Sequence, residues 1–325
     1  MIKKILIISF VFYIVSVVVP FRSGGIIKLN PISDNYIPKN SYSSNFEKTA
    51  LKKSYTTNNK ISFVKKGDLF KDAPAISARS AIVVDLKTNS VIYAKNENER
   101  LPFASLTKIM TAIIAVEHAD TSKVFTVSKN AAEIGENTMG LKQNEKLTLK
   151  NLLYGLILNS ANDAAVTIAE GVAGTENEFV SYMNKKALLL GANDTIFADS
   201  SGLNKNKTKY FSTSEDLAKI AKYSLQHNIL KEIYKTINYE IPATEFNSLK
   251  ILENQTNLLT TYPGAKGMKT GYTEEAGLCL ISYAENQGQE LLVVILNSSD
   301  RKGDAILLLD YGFNKIGIKI EHDLL

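Results

Sequence analysis

The chain has 325 residues, 45% of them hydrophobic and 22% charged, with three histidines, one cysteine and no tryptophan. That length provides for one large domain or two modest ones, and the composition excludes collagen, coiled-coil and wholly disordered classes. A single cysteine forms no intramolecular disulfide, and His118, His227 and His322 are too dispersed for an HExxH-type zinc site. The same scarcity disfavours a Ser-His-Asp enzyme, so an activated serine here needs another base. No metal or cofactor is called for.

The net charge of +5 is unevenly placed. Residues 1–21 carry +2 and residues 22–75 carry +6, whereas 76–325 hold 26 basic and 29 acidic side chains. The basic excess thus belongs to the front of the chain, which argues against a nucleic-acid-binding body.

Taken in order, Met1 to Phe21 reads as a targeting segment, because Lys3 and Lys4 precede an apolar run from Ile5 to Val19 that ends at Pro20. Bulky residues fill the positions where a cleavage site wants small ones, which favours an uncleaved signal anchor over a signal peptide. Residues 22–75 read as a flexible basic tether, rich in Asn, Ser, Thr and Lys and without sustained periodicity. As a coil its length corresponds to an end-to-end distance of ~40 Å.

The folded body is expected from about Pro74, giving a domain over 76–325. Ser80–Asp85 and Val91–Lys95 read as a β-hairpin. Leu106–Glu117 is apolar nearly all round and reads as a buried helix, with His118 at its end. Helices are expected over Asn151–Leu158 and Asn177–Leu190, and Ser212-Thr213-Ser214-Glu215 fits a capping box opening a helix through Ser224. Leu278–Glu285 and Glu290–Asn297 read as strands joined by a turn, and a last helix runs from about Asp304. Strands at both ends around a helical middle imply an α+β domain in which one antiparallel sheet unites both ends of the chain.

Three short motifs carry chemistry. Ser105-Leu106-Thr107-Lys108 opens the buried helix, and a spacing of three puts hydroxyl and amine on one face. Burial is one way to lower a lysine pKa far enough for it to act as a base. Ser160-Ala161-Asn162 follows an apolar stretch, and Lys269-Thr270-Gly271 precedes the strand at Leu278. Singly they are weak. S-x-x-K recurs at Ser62–Lys65 and Ser299–Lys302, S-x-N recurs at Ser33–Asn35 and Ser43–Asn45, and a glycine-rich turn explains the third as simply. Together, in the order S-x-x-K, S-x-N, K-T-G, they match the set of penicillin-binding proteins and class A β-lactamases.

The chain resembles the low-molecular-mass penicillin-binding proteins, serine-type D-alanyl-D-alanine carboxypeptidases. The likeness covers about 250 residues and extends to Ser201-Gly202-Leu203, Asp216-Leu217-Ala218, Gly267-Met268 before the third motif, and Leu308-Leu309-Asp310-Tyr311-Gly312-Phe313. It implies a β-lactamase/penicillin-binding-protein-like transpeptidase fold, an antiparallel sheet with a helical subdomain. It further implies that Ser105 is the nucleophile, Lys108 its base, kept partly neutral by burial and by Lys269, and Ser160 a proton relay. Asn162, Lys269, Thr270, Gly271 and Tyr272 would bind substrate, with the N–H groups of Ser105 and Tyr272 as the oxyanion hole.

The implied substrate is the peptidoglycan stem pentapeptide, with β-lactams as acylating inhibitors. The implied place is the extracytoplasmic face of the bacterial plasma membrane, reached through the N-terminal segment or by secretion. The alternatives are a β-lactamase or endopeptidase on the same fold, or a non-catalytic peptidoglycan-binding module. No compelling E-x-x-x-N deacylation element stands between the second and third motifs, which weighs against the β-lactamase. Many family members continue into a β-rich domain and an amphipathic anchor helix, and this chain has only a dozen residues after Phe313. Cys279 is expected in the core, Arg301 is either a second carboxylate contact or a loop residue, and Glu274 and Glu275 are expected as exposed turn acids.

Overall fold

A computed structural model describes residues 62–63, 72–204 and 208–324. The targeting segment and nearly all of the tether lie outside the described residues. The elements run β1 (Ser62–Phe63), β2 (Ser80–Asp85), β3 (Ser90–Lys95), a 3-10 turn (Ala104–Leu106), α1 (Thr107–His118), β4 (Val124–Thr126), α2 (Lys129–Ala132), β5 (Lys146–Thr148), α3 (Leu149–Leu158) and α4 (Asn162–Ala173). They continue with α5 (Glu176–Leu189), α6 (Ser214–Ser224), α7 (Asn228–Lys235), β6 (Asn238–Ile241), β7 (Lys250–Glu253), α8 (Leu258–Thr261), β8 (Ala265–Thr273), β9 (Gly277–Asn286), β10 (Gln289–Ser298) and α9 (Arg301–Lys315).

One six-stranded sheet has the order β1-β3-β2-β10-β9-β8, antiparallel throughout except for the short parallel pair of β1 with β3. The expected union of both chain ends is the pairing of β2 with β10, in the register Ile82↔Val294 and Val84↔Leu292. Successive strand residues face opposite ways. Ile82, Val84, Leu292 and Val294 therefore pack with the helical middle, and Ala81, Val83, Leu291 and Val293 pack under α9 against Leu308, Leu309 and Phe313. Burial on both faces explains why these strands are nearly continuous apolar runs rather than alternating ones.

Local chemistry sets the joints. Gln287 and Gly288 have φ of 49° and 74°, as a two-residue turn between right-twisted strands requires, and they join β9 to β10. The Asp304 carboxylate in the first turn of α9 accepts from the backbone N–H of Ser77 and Ala78 and from the hydroxyls of Ser77 and Ser298. It thereby fastens the entry of β2 to the exit of β10.

Three expectations shift. The cap of α6 is Thr213, which accepts from the Asp216 N–H at 3.0 Å, one residue beyond the anticipated Ser212. Ser212 is still extended, bridged to Leu101, with its hydroxyl 2.8 Å from that of Thr195, and Glu215 pairs with Lys219 instead of closing a box. Lys269-Thr270-Gly271 precedes the strand at Leu278 and itself lies inside edge strand β8, because the glycine-rich stretch makes a bulge between Ala265 and Met268 instead of a turn. Ser62 and Phe63, within the stretch read as tether, add a two-residue strand beside β3.

Candidate active site

The nucleophile candidate sits at a forced turn. Ala104 has φ of +47°, a region costly for a residue with a Cβ, and it holds the 3-10 turn that leads into α1. Surrounding packing over-determines it. Phe103 is fully buried, with its ring against Phe197 and Tyr210 at centroid distances of 5.6 and 5.5 Å. Ser105 is left half-buried at the surface of this turn.

One helical turn on, Lys108 is wholly buried. Its Nζ lies 3.0 Å from Ser105 Oγ, 2.8 Å from Asn162 Oδ1 and 2.7 Å from the Ser201 carbonyl oxygen. Burial drives its pKa down to about 7, against the opposing pull of Asp199, Asp163 and Glu136. An amine with that pKa is free of its third proton in about half the molecules near neutrality, and in that form its lone pair accepts the Ser105 hydroxyl proton. The expectation that Lys269 helps to hold Lys108 neutral is thus secondary to plain desolvation.

The second motif occupies the loop from α3 to α4. Ser160 has φ of +55° and is 2% exposed, and its Oγ is buried without a hydrogen-bond partner among the described residues. Asn162 opens α4, with its Nδ2 donating to the Gly135 carbonyl at 3.2 Å and its N–H to the Asn137 carbonyl at 2.7 Å. The next residue, Asp163, accepts from the N–H groups of Met139 and Leu141, which pins the 135–141 segment over the loop.

The third motif forms the opposite wall. β8 is the sheet's edge strand, with Lys269 and Thr270 buried and Tyr272 61% exposed. Gly271 meets the nucleophile turn directly, since a Cβ added there would stand 3.1 Å from the Phe103 carbonyl oxygen and 3.2 Å from the Ser105 nitrogen. Lys269 Nζ donates to the Thr270 carbonyl at 2.9 Å, and its pKa is pulled well below the usual lysine range by burial and by the charges of Lys108 and Arg301. Arg301, at the start of α9, donates to the Gly271 carbonyl at 2.9 Å, so it belongs to this wall and not to a free loop.

The three motifs thus meet from elements far apart in sequence: Lys108 links Ser105 to Asn162 and acts on Lys269, and Gly271 abuts the Ser105 turn, with Ser160, Thr270 and Tyr272 carried on the same segments. Beside them opens a cleft of about 940 Å³ lined by Glu136, Leu203, Tyr210, Tyr272, Glu274 and Glu275 among others. Glu274 and Glu275 are exposed in the β8–β9 turn, as anticipated. Cys279 is fully buried opposite Gly271, its thiol pKa raised by burial to about 11, and His118 closes α1 with Nδ1 2.9 Å from the Ile114 carbonyl oxygen. The motifs alone missed the Ser201 carbonyl on Lys108 and the Asp199 turn that presents it. The only trace of that turn in the sequence was the Ser201-Gly202-Leu203 run.

This arrangement has close counterparts. The D-alanyl-D-alanine carboxypeptidase DacF of Bacillus subtilis is 36% identical over 250 residues, which cover 74% of this chain and 63% of that protein. DacB2 of Mycobacterium tuberculosis is 31% identical over 242 residues, or 73% of this chain and 82% of its own length. The chain therefore spans somewhat less than two thirds of the Bacillus relative and most of the mycobacterial one. Among solved structures, the DD-transpeptidase of Streptomyces K15 superposes with a TM-score of 0.71 at 28% identity, covering 75% of this chain and all of that one. A D-alanyl-D-alanine carboxypeptidase from M. tuberculosis gives 0.71 at 30% identity, over 75% and 94%. The fold is that of a penicillin-binding protein. Residues 68–300 match the S11 peptidase model, described as D-alanyl-D-alanine carboxypeptidase, and the chain belongs to that family.

Proposed function

We propose that the protein is a serine D-alanyl-D-alanine carboxypeptidase that removes the terminal D-alanine from peptidoglycan pentapeptides through an acyl-enzyme. The observation that carries this reading is the buried Lys108 amine, of pKa about 7, 3.0 Å from the Ser105 hydroxyl. Lys108 takes the Ser105 proton as Oγ attacks the penultimate D-alanine carbonyl carbon. The oxyanion forms against the N–H groups of Ser105 and Tyr272, an arrangement worth about 3–4 kcal/mol of barrier elsewhere. As the carbon–nitrogen bond breaks, the Lys108 proton passes through the Ser160 hydroxyl to the leaving D-alanine amine. Water then hydrolyses the ester, with Lys108 again the base.

The substrate's terminal carboxylate is taken by Lys269 and Thr270, with Arg301 beside them. Asn162 holds Lys108 through Oδ1, and its Nδ2, which gives one hydrogen to the Gly135 carbonyl, has a second for the peptide. A penicillin amide, with its own carboxylate nearby, enters by the same route and acylates Ser105. The family's catalytic acylation motifs are all in place, which supports an enzyme over a binding module. Supporting the extracytoplasmic face of the plasma membrane as the working place is the basic, apolar segment Met1–Phe21, and quantitative release from membranes by high salt alone counts against anchoring.

Mass spectrometry of the protein with a D-Ala-D-Ala pentapeptide, and then with penicillin, tests the function. The expected result is a tetrapeptide product and a long-lived penicillin adduct on Ser105. Rapid penicillin turnover without trimming would make it a β-lactamase, cleavage of cross-linked dimers alone an endopeptidase, and no adduct a binding module.

A further inference from the structure

Of the three carboxylates whose charge acts on Lys108, Asp163 and Asp199 differ in what they do. Asp163 is committed to backbone N–H groups of the 139–141 segment and of Ala164. Asp199 instead shapes the turn that touches the base itself. Its Oδ1 accepts from the Ser201 N–H at 2.8 Å, the Ser201 hydroxyl at 3.0 Å and the Gly202 N–H, and its Oδ2 accepts from the Asn204 N–H at 2.6 Å. Those bonds close a tight loop around one carboxylate. Its product is the Ser201 carbonyl, aimed at Lys108 Nζ.

The loop is clamped between two helices. Thr111 Oγ1 of α1 donates to the Ser200 carbonyl at 2.6 Å, and Glu176 at the start of α5 accepts from the Ser200 N–H at 2.9 Å. Gly202, at φ +80°, lies so close that a Cβ there would stand 2.0 Å from the Ala104 carbonyl oxygen. A carboxylate in this position therefore moves little relative to the amine.

We propose that Asp199 is a positioning residue for the general base: it holds the Ser201 carbonyl on Lys108 and supplies the main negative charge that keeps the amine basic enough to take a proton. Burial alone leaves Lys108 a poor proton acceptor, and an amine that never takes the Ser105 proton cannot pass it on. The charged groups facing Lys108 are Asp199 from this turn, Asp163 from α4, Glu136 from the 135–141 segment and Lys269 from β8, and Asp199 is the strongest of the three that favour the ammonium.

This inference rests on the acyl-enzyme reading, and the test distinguishes the two. The second-order rate of Ser105 acylation by penicillin is measured against pH for the wild type, Asp199→Asn and Asp199→Glu, with melting temperatures alongside. In Asp199→Asn the acid limb is expected to move to lower pH by about one unit, while the alkaline limb stays in place. Asp199→Glu, which retains the charge, is expected to keep the acid limb near its wild-type position at a reduced rate. If Asp199→Asn does not fold, Asp199→Ser provides the uncharged comparison with a short acceptor. An uncharged variant whose whole profile falls without its acid limb moving overturns the proposal and makes Asp199 a loop brace only. Absence of acylation in the wild type would sink the enzyme reading instead.

Discussion

The two walls of the site each hold a fully buried lysine, and the lysines are built differently. Lys108 on the helical wall meets a hydroxyl, an amide oxygen and a carbonyl. Lys269 on the strand wall donates to one carbonyl, that of the adjacent Thr270, and has two cations for neighbours. The first environment is saturated and fixes an amine at one proton's distance from a serine. The second leaves ammonium donors uncommitted in a positively charged recess, the condition for receiving an anion. The same residue type, equally buried, thus becomes a base or a carboxylate receptor according to its partners.

The largest effect is expected at the helical wall. Lys108→Met should lower Ser105 acylation by about a thousandfold or more, read from the rate of penicillin adduct formation. Retention of a tenth of the wild-type rate would dissolve the distinction between the walls. The variant also tests the sign of the charge balance. The native amine has a pKa of about 7 against 10.5 for an ordinary lysine, so between those values the unfolded chain binds the extra proton. Its contribution to stability therefore rises as pH increases from about 7 to 10.5 and is flat below 7. The wild type should gain stability relative to Lys108→Met over that window, and parallel curves in denaturant titrations would refute the low pKa.

The junction of the walls comes next. Gly202→Ala puts a Cβ 2.0 Å from the Ala104 carbonyl oxygen in a left-handed conformation, whereas Gly271→Ala meets its nearest atoms at 3.1–3.3 Å. Gly202→Ala should cost about 2–3 kcal/mol of stability and Gly271→Ala less, while both slow acylation by moving the nucleophile turn. Equal losses of stability would contradict the closer packing on the helical side. A smaller effect belongs to Lys269→Gln, with kcat/KM for a carboxylate-terminated peptide falling about 10- to 100-fold, mainly through KM. Loss in kcat alone would make Lys269 part of the proton path. Cys279→Ala, buried but in neither wall, should leave acylation unchanged and cost about 1 kcal/mol, measured by chemical denaturation.

Legibility in the sequence followed the same division. The helical wall was readable because S-x-x-K needs only helical spacing, and the apolar run after Ser105 announced a buried helix. The union of chain ends in one sheet was readable from apolar strands at both ends. The third motif was readable as lying just before the strand at Leu278, but not as a strand itself, because Gly264, Gly267 and Gly271 also suit a turn, and pairing with β9 absorbs the irregularity as a bulge. The two-stranded sheets β4–β5 and β6–β7 carry too few residues to show a period. The role of the Asp199 turn, marked only by Ser201-Gly202-Leu203, was illegible for a different reason. Its contribution to the site is a backbone carbonyl, and no residue type marks a carbonyl.

The fastening of Ser77 to Asp304 joins positions 227 residues apart. The Ser105–Lys108 helix and its neighbours are complete long before β10 exists, yet β2 has no central partner until β10 arrives. Contacts of that separation are slow to close. The two walls therefore meet late in folding, and a chain interrupted before Gln289 would carry its nucleophile, its base and β8 without β10, the strand that joins β8 and β9 to β2. Competence to react is in this sense a property of the last strands made, although the reacting atoms are among the first.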